Sequence, residues 1–523
     1  MTTKFQKWLL AGSSCIFLCL LIFLHSCNGS PKAEDPPASQ PAVVSSAFPT
    51  WEVDYQQDQP AIQANFDDQL WQTFIALAWP AKGLDPTADP DLEITDPTDR
   101  RSVFENYSMN FDLFLLPGKQ TPHGWNQKEA IAKQRKERWD IVCPNLKEEL
   151  SAAGIEDYAS LLVLDEFIQA SNFPRPHVPV IDQNGNYIRT SVLYNKECFD
   201  YVYDNRLYSV EGMREIAANE GQVTDGQDGK QTVVKFLDNP NGSIMLKSTW
   251  KILTPEDDAS RYHTAKAVLF FRNENLGPSS LNKDDCSECK VPPTEEGYVC
   301  SQCTLTTVGL TGLHVTVKTE DQPDWLWATF EQVDNAPDYN DIDTSRSYTL
   351  FKFDANNVGP NNEPPAYTCE NTKYTDGKWF NPEVDSQKTS QVVRLIPITP
   401  ETKAINQKYQ EALKGTVWAN YRLISTQWKD PNEDNKVIPL NLSNLTLETF
   451  EQEASSCFGC HHQVRKDPFS KANEPQYAMG NVLNIPVWGS DKGDTLVYSD
   501  YMWSLFKIRP SGQLTWTQIA HPK

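Results

Sequence analysis

The chain has 523 residues, of which 39% are apolar, and its 24 glycines and 36 prolines follow no period, which excludes a collagen-like, low-complexity or multi-span membrane protein. The length allows two to four domains at roughly 100–200 residues each, with chain to spare for a sizeable core. Against 47 basic residues stand 70 acidic ones, and the resulting charge of −23 argues against nucleic acid and fits a basic protein partner.

Lys4 and Lys7 precede an apolar stretch from Trp8 to Leu24, the layout of a secretory signal. Leu24-His25-Ser26-Cys27 then matches the pattern of a bacterial lipobox, with Cys27 as the lipid acceptor; an uncleaved membrane anchor is the alternative. Residues 1–26 are therefore expected to be a lipoprotein signal peptide, and 27–60 a Pro/Ser-rich linker. Asn28 follows the pattern of outer-membrane retention, so the expected location is the cell envelope, lipid-anchored to the outer membrane and facing the periplasm.

Leu70, Trp71, Phe74, Ile75, Leu77 and Ala78 recur at helical spacing and predict a helix over 67–79, stopped by Pro80. The acidic, proline-bearing stretch 85–99 predicts a solvated loop. Two further helices are predicted at 126–140 and 155–170. After Pro179 the pattern changes: Asn184-Gly185 predicts a hairpin over 180–188, and strands are predicted at 231–236, 243–253, 265–271, 304–318, 348–353 and 391–398. A helix over 401–414 follows Pro400, and Leu447, Phe450 and Ala454 predict a last helix leading to Cys457. The Asp338, Asp341 and Asp343 group predicts a solvated turn. No repeat of 20–50 residues is present, which excludes solenoids and propellers. The fold class expected is α+β: a large β-rich central domain flanked by helices over 61–440, followed by a C-terminal helical mono-haem cytochrome c-like segment over 441–523.

Chemistry is concentrated in Cys457-Phe458-Gly459-Cys460-His461, the C-x-x-C-H signature of c-type haem attachment. Two thiols on one helical turn can add to the two vinyl groups of a haem, and the next residue presents an imidazole to the iron. His462 points about 100° away on a helix and is a poor second ligand. A second cluster, Cys286-x-x-Cys289 and Cys300-x-x-Cys303, suits either two disulfides, favoured in an oxidising compartment, or a zinc ion. Cys143, Cys198 and Cys369 remain, an odd number. No G-x-S-x-G, H-E-x-x-H, Walker A or G-x-G-x-x-G sequence occurs, so hydrolase and nucleotide-binding readings lose their usual support. For the distal side of the iron, His314 ranks first, because Gly309 and Gly312 beside it would let a flat macrocycle approach the strand; Met502 ranks second, an open site third, and His263 behind them.

The stretches Trp71-Gln-Thr-Phe-Ile-Ala-Leu-Ala-Trp79, Gly242-Ser-Ile-Met-Leu-Lys-Ser-Thr-Trp250, Val308-Gly-Leu-Thr-Gly-Leu-His314, Trp325-Leu-Trp-Ala-Thr-Phe-Glu-Gln-Val-Asp-Asn-Ala-Pro337 and Trp418-Ala-Asn-Tyr-Arg-Leu-Ile-Ser-Thr-Gln-Trp428 resemble a family of exported bacterial cytochrome c family proteins. The resemblance implies one covalent haem near the C-terminus, held by Cys457, Cys460 and His461, on a large domain with no assigned substrate. The paired Cys-x-x-Cys cluster and Met502 depart from that family. The function expected is single-electron transfer with a redox partner rather than turnover; a haem enzyme or a haem-based sensor with an open distal site is the alternative.

Overall fold

In the computed structural model, which describes residues 41–96, 100–114, 121–142, 146–155, 161–164, 180–225, 231–270, 303–353, 373–375, 378–380, 389–461, 482–485, 495–502 and 504–505, Asp58 caps the first helix among the described residues. Its carboxylate accepts the Ala61 N–H at 3.0 Å and Pro60 occupies the first turn, so α1 (Gln59–Ala78) begins about two turns before the apolar spacing that announces it, inside the expected linker. Among the described residues seven more α-helices follow: α2 (Asn110–Leu113), α3 (Lys128–Val142), α4 (Leu146–Ala152), α5 (Lys196–Asp204), α6 (Val210–Glu220), α7 (Pro400–Ala412) and α8 (Cys457–His461). The strands are β1 (Ser108–Met109), β2 (Leu162–Leu164), β3 (Arg189–Tyr194), β4 (Gln222–Asp225), β5 (Gln231–Phe236), β6 (Ile244–Ile252), β7 (Thr264–Phe270), β8 (Cys303–Val317), β9 (Leu326–Gln332), β10 (Lys373–Thr375), β11 (Lys378–Phe380), β12 (Tyr421–Asp430), β13 (Lys436–Ile438), β14 (Val482–Ile485) and β15 (Thr495–Tyr498).

Nine strands make one sheet in the order β1-β3-β6-β8-β9-β12-β13, with β7 and then β2 added at the N-terminal half of β8. All its pairings are antiparallel except β2 with β7. The long β8 forks the sheet: residues 303–309 pair with β7, while 312–317 pair with β9. A smaller sheet runs β14-β15-β5-β4, and β10 pairs with β11. The α+β expectation holds at this level.

Both faces of the large sheet are covered. On one, Trp71 and Phe74 of α1 meet Phe330 of β9 at ring distances of 5.2 and 4.3 Å, and Trp71 stacks on Tyr409 of α7 at 5.2 Å. Asp67 of α1 is fully buried there and accepts from Gln63 Nε2 (2.9 Å), the Thr426 N–H (3.0 Å) and Thr402 Oγ1 (2.6 Å). Directly paired residues share a face, so Met245, Thr316, Trp327 and Gln427 form one row of the opposite face, and Lys247, His314 and Thr329 the next. The chain after Leu440 crosses this second face. Asn444 Nδ2 donates to Thr329 Oγ1 (2.8 Å), the Leu445 N–H to the buried Glu331 Oε1 (2.6 Å), and the Thr446 and Thr249 hydroxyls meet at 2.7 Å. The residues from Val43 onward make one compact unit, and the 440/441 boundary falls inside it.

Several predicted elements differ. Leu162–Leu164, expected inside a helix over 155–170, is a strand parallel to β7; a short apolar run buried all round has no period to separate the two states. Residues 348–353 and 391–398 form no regular strand; separate backbone bonds hold them, Leu350 N–H to the Asn335 carbonyl (2.8 Å) and Val392 N–H to the Leu350 carbonyl (2.9 Å), and Arg394 forms an isolated bridge with Asp338. Leu447 to Ala454 is a series of turns, and regular helix is confined to α8.

Candidate functional site

A helix of five residues does not persist alone, so α8 depends on its anchors. The Ser456 carbonyl accepts the Cys460 N–H (2.8 Å) and its Oγ the Gly459 N–H (3.2 Å). Gln427, fully buried on β12, accepts the Phe458 N–H (3.1 Å) and the Ser456 hydroxyl (3.2 Å) on Oε1, while its Nε2 donates to the carbonyls of Pro439 (2.7 Å) and Leu440 (3.2 Å). Phe458 is buried beside Trp327 and Tyr501, both with ring distances of 6.0 Å. Burying that side leaves Cys457, Cys460 and His461 half-buried, with the two thiols three residues apart on one face. Burial, reinforced by the Glu448 carboxylate, pushes the Cys457 thiol well above its usual range and Cys460 up to about 11.

His461 packs on the Trp327 ring at 4.4 Å, and its Nδ1 lies 2.8 Å from the Tyr501 carbonyl oxygen. A carbonyl only accepts, so this contact fixes the proton on Nδ1 and leaves the lone pair on Nε2. Burial lowers His461 to about 4, which keeps the ring neutral in ordinary buffers. A neutral imidazole with an oriented Nε2 lone pair is what an iron ligand requires. The carbonyl comes from a turn, closed by the Met502 N–H on Ser499 O (3.1 Å), whose central residues Asp500 and Tyr501 have φ of +50° and +67°. Left-handed backbone costs a non-glycine residue about 1–2 kcal/mol, so something must hold this turn.

Beside α8 lie Lys247 and His314 of the sheet and Glu448 of the turns that cross it. His314 Nε2 lies 3.4 Å from Glu448 Oε1. His314, the first candidate for the distal side, thus shares the motif's surroundings. The clearance expected from its glycines is already filled: a Cβ at Gly312 would lie 2.7 Å from Thr249 Oγ1 and 2.8 Å from Thr446 Oγ1, and one at Gly309 2.9 Å from Tyr262 Cβ. Met502 is almost fully buried, and its sulfur accepts Asn239 Nδ2 at 3.4 Å. His263 lies elsewhere, bonded to Glu105 Oε2 (2.8 Å) and stacked on Trp418. Cys27, Cys143, Cys286, Cys289, Cys300, Cys369 and His462 lie outside the described residues, as does the side chain of Cys303. Cys198 is a buried free thiol.

Among the described residues no three or more His, Cys, Asp or Glu side chains are arranged to hold a bare metal ion. A c-type haem asks for less, two thiols and one imidazole, and α8 carries them with the tautomer already set. Gln427, Trp327, Glu448, Lys247 and Tyr501 were not visible as site residues in the sequence, because only long-range strand pairing and the turn before Met502 bring them to α8. Among the described residues no helix is long and apolar enough to cross a membrane. No family model, no curated protein and no solved structure matches the chain.

Proposed function

We propose that the protein is an envelope-anchored c-type cytochrome lipoprotein that carries one covalent haem on Cys457 and Cys460 and exchanges single electrons with a redox partner, a basic one by charge. The observation that carries this is the His461 Nδ1–H bond to the Tyr501 carbonyl within a C-x-x-C-H helix. The haem supplies a one-electron carrier when bound; the chain orients the imidazole, keeps it neutral, and shields it with Trp327 and Phe458. The sorting to the outer membrane rests on Leu24–Asn28 and the cofactor on the motif. Denatured wild-type protein should keep its haem stain on a gel, and the Cys457→Ser/Cys460→Ser double variant should lose it; stain that survives in the double variant refutes the assignment.

A second reading, a haem enzyme or sensor, is favoured by the His314–Glu448 contact at 3.4 Å. A histidine whose Nε2 is engaged by a carboxylate is placed to move protons as well as to ligate. The ferric spectra of His314→Ala and Met502→Ala decide between them. A low-spin spectrum lost only in His314→Ala makes that residue the sixth ligand and favours electron transfer, whereas a high-spin spectrum in wild type favours the second reading.

A further inference from the structure

We infer that Asp500 is a positioning residue for His461: its carboxylate holds the left-handed turn that aims the Tyr501 carbonyl at Nδ1 and so fixes which ring nitrogen carries the lone pair. The function given to that tautomer rests on the haem reading; the tautomer itself does not.

The Asp500 carboxylate is buried and collects donors from two separate connections between strands. Oδ2 accepts from the Asn239 N–H (2.8 Å), Asn239 Nδ2 (2.9 Å) and Lys318 Nζ (2.8 Å), and Oδ1 from Trp325 Nε1 (3.3 Å). Asn239 lies between β5 and β6, Lys318 directly follows β8, and Trp325 directly precedes β9, the strand that places Trp327 under the imidazole. The carbonyl and the ring it orients are therefore referred to the same rigid frame. Trp325 is itself left-handed at φ +72°, so three non-glycine residues with unfavourable backbone meet at this one carboxylate. Strain of that kind persists only where surrounding bonds over-determine it. Four donors on one buried side chain are such a set, and the group they serve is one peptide bond away from the Tyr501 carbonyl. Without the anchor, the turn is free to relax toward ordinary backbone angles, the carbonyl swings from Nδ1, and the ring proton redistributes between its two nitrogens.

The test uses the full-length chain made without haem, labelled with ¹⁵N-histidine and kept reduced, with the His461 ring signals identified by their loss in His461→Ala. Wild type should show one tautomer, protonated at Nδ1, with slow proton exchange. Asp500→Gly keeps the left-handed angles accessible while removing the carboxylate, and should give both tautomers and exchange at least tenfold faster. Asp500→Asn, which keeps an acceptor oxygen, should restore much of the wild-type signal. Should Asp500→Gly fail to fold, Trp325→Phe removes one donor and should move exchange in the same direction. Unchanged tautomer and exchange in the variant that folds overturn the inference. Haem staining of the same variants made with haem available separates the two claims: a locked tautomer in a chain that never takes stain sinks the haem reading alone, and a tautomer indifferent to Asp500 in a chain that does take stain sinks the positioning role alone.

Discussion

Gln427→Ala tests whether the motif helix is held by the sheet or merely rests on it. The substitution removes two bonds to the Pro439 and Leu440 carbonyls and two from the Phe458 N–H and Ser456 hydroxyl, all inside a fully buried site. At about 0.5–1.5 kcal/mol net for each of the four bonds, the loss comes to about 2–6 kcal/mol. Because α8 has five residues and little stability of its own, much of that loss should appear as local detachment rather than global unfolding. The assay is maleimide alkylation of Cys457 and Cys460 in chain made without haem, alongside urea unfolding followed by tryptophan fluorescence. Both thiols should be sluggish in wild type, since burial holds them protonated, and about a hundredfold faster in the variant, the factor that corresponds to a loss of about 3 kcal/mol, inside that range. Alkylation and unfolding midpoint both equal to wild type would refute the reasoning.

Asp67→Asn should change the pH dependence of stability. Burial raises the Asp67 carboxyl from 3.8 to about 6, so the fold prefers it protonated; that contribution is fully present below pH 3.8 and lost as pH rises through about 6, about 3 kcal/mol in all. The wild-type minus variant difference in urea unfolding should fall by about that amount between pH 4 and 7, and a flat difference refutes it. Gly312→Ala drives a Cβ into the Thr249 and Thr446 hydroxyls and should cost about 2 kcal/mol by the same unfolding assay. Arg394→Met leaves Glu331 buried without its cation and should cost about 3–5 kcal/mol, much of it recovered in the double variant with Glu331→Leu. A single variant as stable as wild type would show that the Leu445 N–H alone satisfies that carboxylate.

What could be read from the sequence divides along physical lines. The chemistry of α8 was legible because it is local: five consecutive residues define two thiols and an imidazole. Strands such as β5, β6 and β7 were legible from apolar, β-branched runs. In contrast, β9 is buried at every position, from Leu326 through Glu331 to Gln332, and carries a glutamate and a glutamine in the core, so no alternation marks it. Glu331 is satisfied by partners more than 60 positions away, Arg394 and Leu445, which no local window contains. The same reason hides Gln427: as a sequence letter it is an unremarkable strand residue, and only the register with Trp327 places it under α8. The expected clearance at Gly309 and Gly312 failed for a related cause. Missing side chains in a strand signal close approach, but not by what, and here the neighbours are the chain's own Tyr262 and Thr446.

α8 rests on residues 327, 427 and 501, and the turn that carries 501 is held by 239, 318 and 325, so the seat of the motif exists only after β5, β8, β9, β12 and β15 have all found their places. Closing so many distant contacts is slow compared with forming a local helix. During that interval the two thiols are carried on an unseated segment, open to whatever will react with them, and once the sheet closes they are half withdrawn and hard to ionise. On the proposed haem reading, attachment would compete with folding, because the folded chain is the state in which burial makes the two thiols hardest to ionise.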